Sequence, residues 1–352
     1  MKIVIAGGSG LIGTVLCEGL LAAGHEPVVL SRGASRPDAG HEPMVLSSGA
    51  SRPAAGSSDA GSTGGNPSSD TPGTGAATGV RRVAWDPSAD PADPSTPGEW
   101  VQELADSGAV INLAGASIGH WPWTNRRKAE LLNSRLTATR ALVEAIGKLP
   151  EVKRPKVFLS ASGSDLYEGR DTTPADETTE PADTFLGKLC VAWEAEALRA
   201  RDLGLRVVLV RTSPVIAPGA ASLRIQALPF RLFVGGRLGS GQQWSSWVDV
   251  ADIVGIYLWA LATDGVSGPL NATAPDPRRQ VDFARALGAA LHRPSWFPTP
   301  GFMIRLVLGD QATLAIGSRR VWPAAALAGG YVFRRPRLED SLANALGHGS
   351  RS

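Results

Sequence analysis

Cysteine, histidine and long apolar runs are scarce in this sequence, and each scarcity excludes a class of protein. The 352 residues include two cysteines, Cys17 and Cys190, too few for a disulfide framework or a cysteine-based zinc site. The five histidines lie far apart without ligand spacing, so no metal site is predicted. No segment reaches the roughly 18 uninterrupted apolar residues of a membrane span, and the N-terminal apolar run is too short and glycine-rich for a signal peptide. We therefore expect a cytoplasmic protein.

An excess of charge of either sign is also lacking. Lysine and arginine total 35 against 33 acidic residues, a net charge of +2, and the arginine pairs are scattered along the chain. Without a basic run, neither a nucleic-acid nor a membrane partner is predicted. A small-molecule substrate is the expected partner, and the formation of a homodimer stays open.

The first 32 residues carry the signals of a strand, a helix and a second strand. Residues 2–6 form a short β-branched run typical of a buried parallel strand. Residues 14–23 have amphipathic spacing and precede Gly24, a natural helix end, and residues 28–32 predict the next strand. The sequence therefore predicts a complete βαβ unit at the N-terminus.

Three glycines separate the first strand from the helix in the spacing Gly-x-x-Gly-x-x-Gly. Such a turn lets the backbone approach a pyrophosphate, which lies against the free N–H groups of the helix N-terminus. Because a strand precedes the glycines and a helix and a strand follow them, the context predicts a dinucleotide site. The residues expected to contact the dinucleotide here are Gly7, Ser9, Gly10, Leu11, Ile12 and Gly13.

The end of the second strand indicates which dinucleotide binds. An NAD site usually places an acidic residue there to accept hydrogen bonds from the ribose hydroxyls, whereas this chain has Ser31 and Arg32. An arginine offers a permanent charge and several donors to a 2′-phosphate. These two residues therefore predict NADP(H) as the cofactor, although Arg32 could also be a surface arginine beside the following loop.

A tandem duplication follows the second strand. Residues 24–39 recur almost verbatim as residues 40–55, and only one copy can supply the central strand. We expect the first copy, because it lies at the usual distance from the glycines and keeps Arg32. Residues 56–79 contain too few apolar side chains to form a core, so a disordered loop is predicted.

Beyond residue 80, strand-like and helix-like patterns alternate as far as about residue 215. This alternation predicts an α/β protein of the Rossmann type with a doubly wound parallel sheet. We expect a nucleotide-binding domain over residues 1–215, interrupted by an insertion at 33–80. A smaller substrate-binding region over 216–345 would partly return to the core near 247–262.

Taken together, the motifs resemble the extended, atypical short-chain dehydrogenase/reductases, and more narrowly a sugar-epimerase-like branch of NAD(P)-binding proteins. The resemblance covers nearly the whole chain except residues 33–80. The matching segments are 6–13, 112–115, 123–128, 134–135, 160–162, 193–194, 235–242, 247–252, 271–275, 293–294, 300 and 329–333.

The resemblance implies a Rossmann core with a C-terminal substrate domain and adds further cofactor contacts. It implies that residues 113–115 line the cofactor and that residues 160–162 end a strand beside the nicotinamide. The cofactor-site residues that it implies are Leu113, Ala114, Gly115, Arg135, Ser160 and Ala161.

The usual catalytic pair of the superfamily, a tyrosine and a lysine four residues apart, is missing from this chain. None of its three tyrosines is followed at that distance by lysine, and Leu186 and Cys190 occupy the expected positions if Trp193 and Glu194 mark the usual helix. The loss of a positioned acid or base typically slows a reaction about 10²–10⁴-fold. The branch that this chain resembles also tends to lack the pair.

Two residues are candidates for the missing acid–base role. Ser162 would lie near the nicotinamide, and Tyr167 follows it by a few residues. A serine that caps the strand end and a packed loop aromatic are the plain alternatives. We expect an NADP(H)-dependent oxidoreductase or epimerase-like enzyme acting on a small hydroxyl or carbonyl compound, such as a nucleotide sugar. The alternative is a non-catalytic NADP(H) sensor with a regulatory role.

Overall fold

A computed structural model describes residues 1–31, 79–88 and 98–347. Arg32, the second copy of the duplication and the expected loop at 56–78 lie outside these ranges. The strands are β1 Lys2–Ala6, β2 Glu26–Ser31, β3 Arg81–Ala84, β4 Ala109–Asn112, β5 Val157–Gly163, β6 Arg170–Ala175, β7 Arg206–Thr212, β8 Val215–Ile216, β9 Trp244–Ser245, β10 Val248–Asp249, β11 Gly268–Ala272, β12 Arg278–Arg279 and β13 Arg319–Val321.

Helices separate many of these strands. They are α1 Leu11–Ala22, α2 Glu99–Leu104, α3 Asn125–Lys148, α4 Phe185–Leu198, α5 Ala221–Arg231, α6 Val250–Ala262, α7 Gln280–Ala290, α8 Gly301–Leu308, α9 Thr313–Ile316, α10 Ala324–Ala328 and α11 Leu338–Gly347. None of the helices in the described ranges is long and apolar enough to cross a bilayer.

The central feature is a seven-stranded sheet in the order β3–β2–β1–β4–β5–β7–β11. Every neighbouring pair in it is parallel. From β1 the chain adds strands first on one side of the sheet, as β2 and β3, and then on the other side, beginning with β4. Open α/β sheets bind ligands at such a switch point, at the carboxyl ends of the strands. The predicted Rossmann-type α/β fold is confirmed, and β2 comes from the first copy of the duplication, as expected.

Two apolar layers cover the sheet, so its inner strands β1, β4, β5 and β7 are buried on both faces. One layer includes α1 and α6, where Leu16, Leu20 and Ile253 pack with the sheet residues Ile3 and Ile5. The other includes α3 and places residues such as Leu142 and Ile146 against Val4 and Phe158. Continuous β-branched and aliphatic runs are what such doubly covered strands require.

Residues beyond β7 build the region over the carboxyl ends of the strands and then return to the sheet. Three short strand pairs lie outside the main sheet, namely β8 with β10, β9 with β12, and β6 with β13. Strand β11 rejoins the main sheet beside β7. The division of the chain at about residue 215 stays a prediction.

Two buried aspartates fix the C-terminal segment to the start of α6. Asp249 caps α6 and accepts hydrogen bonds from Arg335 Nη1 at 2.9 Å and Ser341 Oγ at 2.6 Å. Asp252 accepts from the Arg335 backbone N–H at 3.0 Å and from Tyr331 Oη at 3.1 Å. Asp249 therefore caps the helix, and both carboxylates anchor the C-terminal segment.

Candidate functional site

The glycine-rich turn after β1 packs so closely that side chains are excluded from two of its positions. Gly7 has φ +79°, and a Cβ there would lie 2.9 Å from the Ala114 backbone. A Cβ on Gly13 would lie 2.5 Å from Gly8 Cα. The absence of a side chain at Gly7 thus lets the turn pack against the end of β4, and its absence at Gly13 lets α1 pack directly on the turn.

Gly10 faces a different environment from these two glycines. It has φ −82°, which any residue adopts, and among the described residues a Cβ there would meet only the Gly7 carbonyl oxygen, at 3.8 Å. It precedes α1 without a side-chain cap, and the first turn of α1 holds no acidic residue. Ser9 and Gly10 are exposed, and Leu11 and Ile12 are half-buried. The N-terminus of α1 therefore offers uncapped N–H groups to an anion.

Ser31 is the last residue of β2 and lies at the same edge of the sheet. Its carbonyl oxygen accepts a hydrogen bond from Trp85 N–H at 3.0 Å, which extends the pairing with β3. The side chain is half-buried. The prediction that Arg32 binds a 2′-phosphate concerns a residue outside the described ranges and stays a prediction.

The segment after β4 is held by a buried side chain. Asn112 Oδ1 accepts from Ala114 N–H at 3.2 Å, and Asn112 Nδ2 donates to Thr139 Oγ1 at 2.8 Å. Residues 113–115 therefore leave the sheet in a fixed direction, against Gly7. This places three of the expected cofactor contacts beside the glycine-rich turn.

Arg135, on α3, packs beneath the same segment. Its Nη1 donates to the carbonyl oxygens of Ala116 at 3.1 Å and Leu131 at 2.9 Å, and its guanidinium lies 5.0 Å from the centre of the Trp193 ring. It forms no ion pair with any carboxylate of the described residues, and its buried Nε has no partner. Burial lowers the pKa of Arg135. An anion bound nearby would compensate this charge.

Strand β5 ends in the serines expected beside the nicotinamide. Ser160 and Ser162 are buried and Ala161 is half-buried. Ser162 Oγ donates to Glu194 Oε1 at 2.6 Å, and Glu194 lies on α4. Because a serine hydroxyl carries a single proton, Ser162 keeps its lone pairs available to accept a hydrogen bond.

Glu194 is also the partner of a buried arginine. Arg211, on β7, donates to both carboxylate oxygens of Glu194 at 2.8 Å, in a bidentate pair. A further Arg211 nitrogen donates to Tyr167 Oη, and Tyr167 Oη donates to Asn271 Oδ1 at 3.0 Å. Both charged groups are less than one-tenth exposed, so the network is shielded from water.

The pKa shifts in this network favour a charged arginine and a neutral phenol. Burial alone would lower the pKa of Arg211, but the hydrogen bonds and the charge of Glu194 raise this pKa above its usual value. Burial raises the pKa of Tyr167 to about 12, against the lowering effect of Arg211. Tyr167 is fully buried, so its hydroxyl contacts protein groups only.

The two positions on α4 that the sequence predicts for the tyrosine–lysine pair of the superfamily hold apolar side chains. Leu186 and Cys190 are both buried on α4, and Cys190 Sγ lies 3.7 Å from the Gly163 carbonyl oxygen. Burial raises the pKa of Cys190 to about 12, which keeps the thiol protonated. Neither side chain can exchange a proton at neutral pH.

A shallow cavity opens beside Leu186. Its volume is about 230 Å³, and its wall includes Trp123, Lys128, Phe185 and Asp310. Lys128 Nζ pairs with Asp310 at 2.5 Å and lies 5.4 Å from the centre of the Phe185 ring. Aromatic faces with one ion pair suit a polar molecule that has flat or apolar parts.

The structure thus gathers most of the predicted cofactor residues at one sheet edge, with Ser162 and Tyr167 joined through Glu194 and Arg211. Sequence reasoning did not assign a role to Glu194, Arg211 or Asn271. Arg211 left a signal, because it is a charged residue within the apolar run of β7. The roles of the individual site residues stay predictions.

Comparison with known proteins identifies the family. A family model described as the NAD dependent epimerase/dehydratase family matches residues 3–272. This chain belongs to that family. A second model, for a domain of unknown function (DUF1731), matches residues 299–345. The resemblance to extended short-chain dehydrogenases is therefore confirmed.

Relatives of similar length support the same assignment. The human epimerase family protein SDR39U1 is 31% identical over 351 residues, covering 97% of this chain and 98% of that protein. A chloroplastic SDR39U1 homolog from Arabidopsis thaliana is 36% identical over 244 residues, 69% of this chain and 70% of the relative. A crystal structure of human SDR39U1 isoform 2 with NADPH has a TM-score of 0.76 at 30% identity and covers 99% of both chains.

Proposed function

We propose that this chain is an NADP(H)-dependent oxidoreductase or epimerase-like enzyme for a small hydroxyl- or carbonyl-bearing substrate, with nucleotide sugars as the first class to test. The observation that carries the proposal is the glycine-rich turn, packed on the end of β4 with the uncapped start of α1 beside it. Family membership and the NADPH in the human SDR39U1 structure support the same cofactor.

The proposed cofactor site extends along the carboxyl edge of the sheet. The uncapped N–H groups at the start of α1 bind the pyrophosphate, and Arg135 adds a buried positive charge near Gly115. Ser31 and Arg32 receive the 2′-phosphate, and Ser160 and Ala161 face the nicotinamide end. When bound, the nicotinamide supplies hydride transfer.

We assign the acid–base step to Ser162 and Glu194. A substrate hydroxyl donates its hydrogen bond to Ser162 Oγ, whose own proton points to Glu194 Oε1. The hydroxyl proton would pass to Ser162 Oγ and the serine proton to Glu194 Oε1, while the bound nicotinamide would supply the hydride acceptor. Arg211 holds Glu194 in place and itself donates to Tyr167 Oη, and reduction runs the same proton transfers in reverse.

Calorimetric titration with NADPH and NADH tests the cofactor proposal. We expect NADPH to bind much more tightly, and Arg32→Ala to remove most of that preference because the 2′-phosphate loses its charged donor. A phosphate contact of this kind changes affinity on the order of tenfold or more. Equal binding of the two nucleotides, or an unchanged preference in Arg32→Ala, would overturn the assignment of Arg32.

Ser162→Ala and Glu194→Gln test the acid–base step. Both variants should keep NADPH affinity and lower the rate of nucleotide-sugar conversion by about 10²–10⁴-fold. Product formation is followed by chromatography of the sugar nucleotides, since an epimerisation returns the cofactor to its starting state. Ser164→Ala, a buried serine two residues further on, is the matched control. Full activity in Ser162→Ala would refute the assignment.

A second candidate function follows from the apolar face of α4. Leu186 and Cys190 occupy the positions predicted for the catalytic tyrosine and lysine of the superfamily. A non-catalytic NADP(H) sensor is therefore the second hypothesis to test. Tight NADPH binding without conversion of any sugar nucleotide or carbonyl substrate, together with NADPH-dependent binding to a partner protein, would support the sensor.

A further inference from the structure

Large exposed apolar side chains are concentrated in one part of this protein. Among the described residues, 18 large hydrophobic side chains are exposed, and 12 of these are Trp121 or fall within 225–234 and 296–307. Monomeric soluble proteins rarely expose contiguous apolar areas larger than a few hundred Å². This concentration therefore indicates a contact surface.

Backbone contacts join these segments into one surface. Trp296 N–H and Phe297 N–H both donate to the Gly235 carbonyl oxygen, at 3.0 and 3.1 Å, and Trp296 Nε1 donates to the Phe233 carbonyl oxygen at 3.0 Å. At the far end, Trp121 Nε1 donates to the Val307 carbonyl oxygen at 3.1 Å. We call Trp121 with the exposed residues of 224–237 and 293–307 the apolar–basic surface.

The two helices of this surface each turn one apolar face outward. On α5, Ile225 and Leu228 are 69% and 54% exposed, while Leu223 and Ala227 are buried. On α8, Phe302 and Leu306 are 69% and 83% exposed, while Ile304 is buried. Since residues three or four apart share a helix face, each helix presents an apolar stripe that no other described residue covers.

The charge of the surface is entirely positive. Residues 203–248 and 283–309 contain no aspartate or glutamate. The exposed arginines of the surface are Arg224, Arg231, Arg237, Arg293 and Arg305. The acidic residue that follows α8, Asp310, is already paired with Lys128 at 2.5 Å.

We propose that the apolar–basic surface docks on an anionic lipid bilayer. Exposed aromatic and aliphatic side chains enter the headgroup boundary, and the arginines attract anionic headgroups, which is the composition of interfacial membrane-binding surfaces. The tryptophans at 121 and 296 have the amphipathic rings that such boundaries favour. A second copy of this chain is a poorer occupant, because a twofold contact through this face would place arginine against arginine.

This proposal revises the expectation from net charge alone. The whole-chain charge of +2 conceals a local excess, since acidic residues elsewhere balance the arginines of this surface. Trp121 belongs to the segment between β4 and α3, so docking would place the bilayer near the edge of the sheet where the glycine-rich turn lies.

Flotation of the full chain with vesicles tests the proposal. We expect binding to phosphatidylcholine vesicles that contain phosphatidylglycerol, little binding to pure phosphatidylcholine, and weaker binding at high salt. Leu306→Asp should lower the apparent affinity at least about tenfold, because it places a charge in the apolar stripe. Val152→Asp is the matched control, since Val152 is 92% exposed but lies after α3, outside the surface.

Several outcomes would overturn the proposal. They are the absence of vesicle binding, equal binding to neutral and anionic vesicles, and equal losses in Leu306→Asp and Val152→Asp. A dimer that Leu306→Asp dissociates, found by sedimentation, would assign the face to a second copy instead. Unchanged circular dichroism and thermal melting of both variants show that the fold is intact.

Discussion

The two ends of the proposed active site differ in how their chemistry is built. At the cofactor end, backbone atoms form the proposed binding surface. Gly7 and Gly13 allow the turn to approach the end of β4 and the start of α1 closely. At the reacting end, side chains from β5, α4 and β7 form a buried network around the ion pair of Glu194 and Arg211. The cofactor end therefore depends on the backbone conformation of one turn, whereas the reacting end depends on side chains that lie far apart in the sequence.

This difference indicates that the two ends of the site tolerate amino-acid substitution to different extents. A backbone cradle depends on the absence of side chains, so few substitutions preserve it. A side-chain network can exchange members provided that its buried charges remain paired. The apolar residues Leu186 and Cys190 on α4, with Ser162 and Glu194 nearby, are consistent with such an exchange at the reacting end.

The largest expected effect comes from breaking the buried pair. Arg211→Met leaves Glu194 charged and buried without its partner, which should lower the free energy of unfolding by about 3–5 kcal/mol. Arg140→Met is the matched control, since it breaks the more exposed pair with Glu196 and should cost roughly 0–1 kcal/mol. Urea denaturation measures both.

A double variant sharpens this test of the reacting end. Glu194→Leu combined with Arg211→Met removes both charges, so it should be more stable than Arg211→Met alone. If Arg211→Met costs no more than Arg140→Met, the network is not the structural unit described above.

The second prediction separates binding from folding at the cofactor end. Gly10→Ala should leave the melting temperature unchanged, because its Cβ has no neighbour closer than 3.8 Å, yet weaken NADPH binding by roughly tenfold or more by crowding the uncapped N–H groups. Gly13→Ala should instead destabilise the fold by about 1–3 kcal/mol, since its Cβ would overlap Gly8.

Gly265→Ala is the control for both glycine variants, because a Cβ there has no neighbour within 4 Å in the part of the chain that the structure describes. Calorimetry with NADPH and thermal melting give the two readouts. Wild-type NADPH affinity in Gly10→Ala would show that the start of α1 does not bind the pyrophosphate.

The smallest expected effect concerns the tyrosines. Burial raises the pKa of Tyr167 to about 12 and also raises the pKa values of Tyr257 and Tyr331. An unfolded phenol ionises near pH 10. Since the folded pKa is the higher one, the protonated phenol stabilises the fold fully below about pH 10, and this contribution is lost as pH rises towards 12.

Ultraviolet titration of tyrosinate absorbance checks this prediction. The native protein should show no ionisation near pH 10, whereas the protein in denaturant should titrate normally. A native tyrosine that titrates at or below pH 10 would contradict the burial described here. If that tyrosine is Tyr167, direct proton exchange with substrate would replace the route through Ser162 and Glu194.

Local and distant interactions explain what could be predicted from the sequence. The βαβ unit and its glycines were predictable because strand, turn and helix signals lie within a few residues of one another. The network from Ser162 to Asn271 was not, because its partners come from β5, α4, β7 and β11, which only the folded sheet brings together. Arg211 gave a hint as a charge in an apolar strand, but its partner could not be read from spacing.

The pairing of β2 with β3 explains how this chain accommodates a duplicated segment. The two strands are neighbours at one edge of the sheet, and residues 32–80 connect them. The entropic cost of closing the connection between two strands rises slowly, by about 0.6 kcal/mol for each doubling of its length. A replication error that copies residues 24–39 at this point is therefore nearly neutral for folding. The same connection is a natural place for protein engineers to insert a tag or reporter domain.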